Sequence, residues 1–510
     1  MPDFISLDGT SLTPADVVQV ALGGAAVRLH PRARRRMARA RKLIDRLAAG
    51  RDRIYGVNTG FGRLMDVKIS RGSLADLQVN LIRSHCAGVG DPLSDEQTRA
   101  LMLLRANVLA RGHSGVRPKV VDLILALLNR DILPRIPCQG SVGASGDLAP
   151  LAHLALPMLG EGELTIRGRV VPASRALKSA GLVPLKLQAK EGLALINGTQ
   201  MMTALGTLAL VGAENLARHA DLAGALSLEA LKGSRRAFDP RIERLRPHPG
   251  QAVSAGNLRR LLGRSEVERS HTGCGRVQDS YALRCMPQVH GASRDALAHV
   301  RAVLEREINA VTDNPLLFPG ERELLSGGNF HGQPVAMALD YLGIAVAELA
   351  SISERRVERL TNPDLSGLPA FLTPEPGLHS GFMMAQVTAA ALVSENKGLA
   401  HPASVDSIPT SASQEDHVSM GAWAARKAVR ILENAERVVA IEIMAACQGL
   451  DFLAPLKSSP PLEAARRAVR RVVPRLVSDR VLSADIARMA DLLKSKRILG
   501  AVEHVTGRLR

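Results

Sequence analysis

Ala144, Ser145 and Gly146 lie in GSVGASGDLAPLAHLAL (140–156), a glycine- and serine-rich loop that turns directly into an apolar helical stretch. Glycines ahead of a helix can cradle an anion on free backbone N–H groups. A phosphate loop, however, ends in Gly-Lys-Ser/Thr. This loop ends in Gly146-Asp147, which places a carboxylate where phosphate charge would sit. A G-x-S-x-G nucleophile elbow fails at the same position, because Asp147 replaces the last glycine. The local text alone supports a flexible turn capped by Ser145 or Asp147, with the Asp147 carboxylate favoured at the helix start by the helix dipole.

Seven other polar islands interrupt the apolar text: YGVNTGFG (55–62), NLIRSHCAGVGDPL (80–93), INGTQ (196–200), VQDSYALRCMPQVHG (277–291), TDNPL (312–316), SGGNFHGQP (326–334) and SASQEDHVSMG (411–421). Each alone is a loop by default. Together they supply tyrosine, histidine, amide, arginine and carboxylate groups, the inventory of a site for a small zwitterion. The chain has only three tyrosines, and two of them, Tyr55 and Tyr281, fall inside islands. No HExxH pair occurs among fourteen histidines, and Glu415-Asp416-His417 are too close in sequence to aim at one ion from a regular helix. No glycine fingerprint follows a strand, so neither metal nor nucleotide is expected.

The ordered islands, and GSVGASGDLAPLAH above all, resemble the aromatic amino acid ammonia-lyase family from Tyr55 to at least Gly421. The resemblance implies that Ala144-Ser145-Gly146 cyclises and loses water to become 4-methylidene-imidazol-5-one. Gly146 suits the closure because its nitrogen must reach the Ala144 carbonyl, and Ser145 supplies the departing hydroxyl. It further implies Tyr55 as general base, with its pKa lowered by neighbours, and Arg284 as the clamp on the substrate carboxylate. Asn197, Gln278 and Tyr281 would support the amine, carboxylate and prosthetic group, with Phe330 as a pocket wall. His85 and Glu415 match the histidine-specific form, since an imidazole needs polar partners and a buried carboxylate against a phenyl ring is unfavourable. The implied reaction is L-histidine to trans-urocanate and ammonia through a covalent adduct with the prosthetic group. A tyrosine ammonia-lyase or related aminomutase is the alternative. Cys86, His379 and Ser413 depart from the residues common in the family, alanine at the first position and asparagine at the others. The fumarase and argininosuccinate-lyase group would need a GSSxMPxKxN loop, which is absent.

The elements that must position these residues read as mainly α. The chain has 510 residues, 46% hydrophobic but only 2% aromatic, so its core is filled by Ala, Leu, Val and Ile, which suits packed helices. Thr13-Pro14 reads as a helix start, helices are expected at 31–49, 97–111 and 117–129, and ELTIRGRVVPA (163–173) reads as a small hairpin. Long helices follow at 293–311, 334–360, 382–398 and 419–450. A helix of about 27 residues spans roughly 40 Å, a length that suits a bundle shared between subunits. The expected division is a loop-rich N-terminal portion with minor β (1–215), carrying the Ala-Ser-Gly loop, and an elongated bundle of long helices (216–510) that completes the site in a homotetramer.

Five scattered cysteines and the lack of an early apolar segment point to a soluble cytoplasmic protein without a membrane partner. The net charge of +17 is concentrated in RLHPRARRRMARARKLIDR (28–46) and EAARRAVRRVVPRLVSDR (463–480). Apolar residues at helical spacing within both stretches make solvated arginine faces the expectation, rather than specific nucleic-acid binding.

Overall fold

The computed structural model describes residues 4–50 and 52–510. Among them are twenty-one α-helices and nine short strands, the mainly α architecture expected from the apolar, aromatic-poor composition. The chain forms two compact units, each discontinuous in sequence. The first comprises residues 1–211, 301–340 and 402–426, and the second 212–300, 341–401 and 427–510. The chain thus returns twice to the first unit, carrying there the islands that hold Phe330 and Glu415.

Local chemistry explains the first unit's helices. Thr13 caps Pro14–Ala21 in a capping box with Asp16, with proline at the first turn. Ser94 and Gln97 do the same for Asp95–Ala110. Pro31–Ala49 buries Met37, Ala40, Leu43 and Ile44 and turns most of its arginines outward. The small hairpin pairs Glu163–Ile166 with Arg169–Pro172. Its turn needs two left-handed residues, and Arg167 (φ 50°) and Gly168 (φ 74°) supply them.

The longest helices are Gln200–Ala230, Met286–Glu307, Gln333–Thr361 and Gly421–Asp451. An 18-residue window within Gln333–Thr361 has mean hydropathy 1.7, and 67% of that window is buried within the protein, as befits a core helix. In the second unit three long helices are joined by one buried carboxylate. Glu442 accepts from the Arg356 guanidinium at 2.5 and 2.8 Å, from Ser227 Oγ at 2.7 Å and from Ser353 Oγ at 2.6 Å. Both charged side chains are fully buried, so their mutual satisfaction offsets the loss of hydration.

Glu442→Leu leaves the Arg356 guanidinium buried without its counter-charge, and the expected loss of stability is about 3–5 kcal/mol. Denaturant unfolding of the variant and of Glu442→Leu/Arg356→Met checks this. The double variant should recover part of the loss, because it removes the uncompensated charge.

Candidate active site

The Ala-Ser-Gly loop precedes the helix Leu148–Ala155, and neighbouring backbone clamps it on both sides. The Val142 carbonyl accepts from Met420 N–H at 2.8 Å, and the Gly143 carbonyl accepts from Ser419 Oγ at 2.9 Å. On the other side, Asp147 N–H donates to the Gly198 carbonyl at 2.7 Å. Gly146 holds φ at 73°, and a Cβ there would lie 2.1 Å from the Gly198 oxygen, so no other residue fits. Asp147 occupies the first position before its helix but makes no cap to it. Its carboxylate instead accepts from Met202 N–H at 2.9 Å, at the start of the helix Gln200–Ala230. Complete burial pushes the Asp147 carboxyl up to about 7, against the pull of its bonds from Met202 and Ser141.

A cavity of about 860 Å³ opens in front of this loop. Tyr55, His85, Ala144, Ser145, Asn197, Phe330 and Glu415 all face it, so islands hundreds of residues apart in sequence converge. Asn197 Nδ2 donates to the Ser145 carbonyl at 2.9 Å, and Ser145 Oγ donates to Glu415 Oε1 at 2.8 Å. The other Glu415 oxygen accepts from Thr410 Oγ1 at 2.6 Å. His85 Nδ1 lies 2.8 Å from the Leu81 carbonyl, which can only accept, so Nδ1 carries the proton. Burial lowers the His85 pKa, partly opposed by that carbonyl and by Glu415, and the neutral ring presents Nε2 as an acceptor.

Tyr55 differs from the expectation of a depressed phenol. Burial raises its pKa, the Gly62 N–H pulls it down, and the carboxylates of Glu415 and Asp313 raise it further. No cation is among these influences. Burial, with the Glu161 charge adding to it, pushes the Cys86 thiol up to about 12.

Gln278, Tyr281 and Arg284 belong to the second unit and are not among the residues lining this cavity. Tyr281 is 71% exposed, and the Arg284 guanidinium stacks over its ring at 4.6 Å. The Arg284 Nε is buried without a hydrogen-bond partner.

The cavity also takes in Phe61, Gln414, Asp416 and His417, none of them expected as site residues although each lies in an island that supplies one, Tyr55 or Glu415. His417 stacks flat on His331, with ring centroids 5.7 Å apart. His331 accepts from Gln333 N–H at Nδ1 and points Nε2 at the His417 carbonyl, 3.1 Å away, so it orients its neighbours. The loop before Glu415 is strained: Ser411, Ala412 and Ser413 take φ of 54°, 51° and 63° in succession. Asparagine, common at position 413 in the resembling family, holds this conformation at lower cost than serine. His153 accepts from Gly88 N–H at 3.2 Å, as a satisfied packing histidine does. Among the described residues no cluster of side chains could hold a metal ion.

The chain has relatives among known proteins that match it along nearly its whole length. It is 58% identical over 510 residues to a histidine ammonia-lyase of Sorangium cellulosum, covering 98% of this chain and 99% of the relative. A crystal structure of histidine ammonia-lyase from Trypanosoma cruzi superposes with a TM-score of 0.92 at 48% identity, covering 98% of this chain and 95% of that one. The tyrosine aminomutase of Streptomyces globisporus superposes with a TM-score of 0.94 at 40% identity, covering 99% and 100%. The sequence profile of the aromatic amino acid lyases matches residues 12–471, and the chain belongs to that family.

Proposed function

We propose that this chain releases ammonia from L-histidine to give trans-urocanate, the first step in degrading that amino acid. Its prosthetic group would be a methylidene-imidazolone formed from Ala144, Ser145 and Gly146. The observation that carries the substrate assignment is that His85 and Glu415 line the same cavity, near enough for the carboxylate to act electrostatically on the imidazole. His85 Nε2 is free to accept from an imidazole N–H, and the Glu415 carboxylate can hold the other ring nitrogen's proton. A phenyl ring there would leave His85 Nε2 and Glu415 Oε1 without a partner, at about 1–3 kcal/mol each. The names of relatives at high identity over the full chain support the same reading.

The residues present fit the prosthetic group. Gly146 is the only residue its backbone position admits, and the Ser145 hydroxyl is already hydrogen-bonded to a carboxylate. When formed, the methylidene-imidazolone supplies an electrophilic carbon that makes the substrate amine a feasible leaving group. The Asn197 amide holds the Ser145 carbonyl and draws electron density from it. Loss of the Ser145 hydroxyl in maturation frees Glu415 Oε1 for the substrate ring. Tyr55 removes the β-proton, and Phe330 closes the pocket beside it. Its raised phenol is a strong base once ionised, which calls for a cation nearby. The substrate ammonium and Arg284 are the candidates.

Arg284, with Gln278 and Tyr281, is proposed to reach the site from a second copy of the chain in a homotetramer, where it clamps the substrate carboxylate. The exposed apolar residues Met337, Tyr341, Ile344, Met384, Val387 and Trp423 on the long helices support such an assembly. The five cysteines are all unpaired, which supports a reducing cytoplasmic setting. No metal, nucleotide or membrane enters this reading.

Intact-mass measurement should find the chain lighter by two water molecules, and Ser145→Ala should lose both the dehydration and the activity. An active protein of unmodified mass would overturn the maturation. Offered separately, L-histidine should be turned over and L-tyrosine and L-phenylalanine left. Glu415→Gln should lower kcat on histidine roughly 10²-fold or more. Turnover of tyrosine alone would favour the alternative substrate instead. Tyr55→Phe and Arg284→Lys should each be inactive alone, yet regain part of the wild-type activity when coexpressed, because some sites then combine intact halves. Absence of recovery would count against shared sites.

A further inference from the structure

The helix Pro31–Ala49 carries more arginines than its packing uses. Arg34 pairs in two-pronged fashion with Asp122 at 2.9 and 2.5 Å, and Arg41 lies 2.6 Å from Asp45. Arg32, Arg35, Arg36 and Arg39 follow the spacing of one helical face. With Arg111 and His113 they line a cavity of about 410 Å³, closed on another side by Pro319 and Gly320. No carboxylate lines it, and it shares no residue with the active-site cavity. Among the described residues, none of these five arginines makes an ion pair, whereas their neighbours Arg34 and Arg41 do.

The like charges are held together by packing. Gly112 sits at φ 78° against Arg36, where a Cβ would lie 2.8 Å from the Arg36 Cγ and 3.3 Å from its backbone carbon. Arg36 Nη2 donates to the carbonyls of Asp8 and Ala110 at 2.5 and 2.9 Å, while its Nε is buried without a partner. Burial and the nearby Arg111 charge both lower the Arg36 pKa, and Asp8 opposes them only in part. Such a cluster is short of negative charge. Guanidinium forks match phosphate oxygens, and a cavity of this size suits a small molecule rather than a nucleic-acid duplex.

We propose that this arginine-lined cavity binds a small anion carrying several phosphate groups, of the triphosphate class. Sodium tripolyphosphate is the probe, titrated calorimetrically at about 0.15 M salt so that diffuse surface attraction is screened. One site per chain is expected. Arg35→Gln/Arg39→Gln, both exposed, should weaken binding by about tenfold or more. Arg467→Gln/Arg471→Gln, which removes the same charge from exposed positions outside the cavity, should change it by less than about twofold. Equal weakening by the two pairs, no saturable binding, or displacement of the probe by duplex DNA at equal phosphate concentration would overturn the proposal.

Discussion

The site depends on one close approach of backbone to backbone, Gly146 against Gly198. There is no room for a side chain between them, and the Asp147 N–H to Gly198 carbonyl bond fixes the separation. That contact bends the Ala-Ser-Gly segment into a tight turn facing the cavity. The same stretch of chain delivers Asn197 to the Ser145 carbonyl. A ring closure between residues 144 and 146 needs this kind of preformed bend, and the surrounding structure supplies the constraint a free loop lacks.

Buried charge in turn fixes the Asn197-Gly198 segment. Arg105 is fully buried and donates to the Asn197 carbonyl at 3.0 Å and to Gln200 Oε1 at 2.5 Å, besides a bond to the Ala194 carbonyl. Burial brings its pKa down to about 10, yet it remains a cation at neutral pH and must keep these acceptors. At the start of the short helix Glu191–Ile196, which leads into Asn197, Lys190 is satisfied by Asp313, and Glu191 by Arg117 and the Gln188 N–H. Moving the segment would strand several buried polar groups at once. Such a network costs desolvation but leaves the loop no alternative position.

The loop that carries Glu415 to the cavity is held by hydrogen bonds that offset a strained backbone. Three consecutive left-handed residues carry the chain from Thr410 to Glu415, and the paired backbone of those two residues closes the loop. The carboxylate is thereby aimed at Ser145 and Thr410, so its position is set before any substrate arrives.

Much of this was legible in the sequence, for identifiable reasons. The helices expected at 31–49, 117–129, 334–360 and 382–398 and the 163–173 hairpin are local events, governed by apolar spacing, caps and turn residues, and lie within a residue or two of their expected bounds. By contrast, Gln200–Ala230, apolar on most of its faces, has no counterpart among the expected helices, and Met286–Glu307 begins seven residues ahead of its expected start. The glycine in Ala-Ser-Gly and the histidine and glutamate of two distant islands are residue types with few ordinary uses in those settings, and family resemblance gave them meaning. What only the tertiary structure decided was which groups meet and in what state. Asp147 reads locally as a cap for its own helix but serves the helix Gln200–Ala230 instead, because packing brings Met202 within reach. Tyr55 has a raised rather than depressed phenol because burial and two carboxylates from remote segments outweigh one backbone donor. His417 and Phe61 join the cavity through loop geometry that no spacing rule reports. Residue type and local pattern fix the available chemistry. Long-range packing fixes distance and dielectric, and through them which proton and which hydrogen bond each group holds.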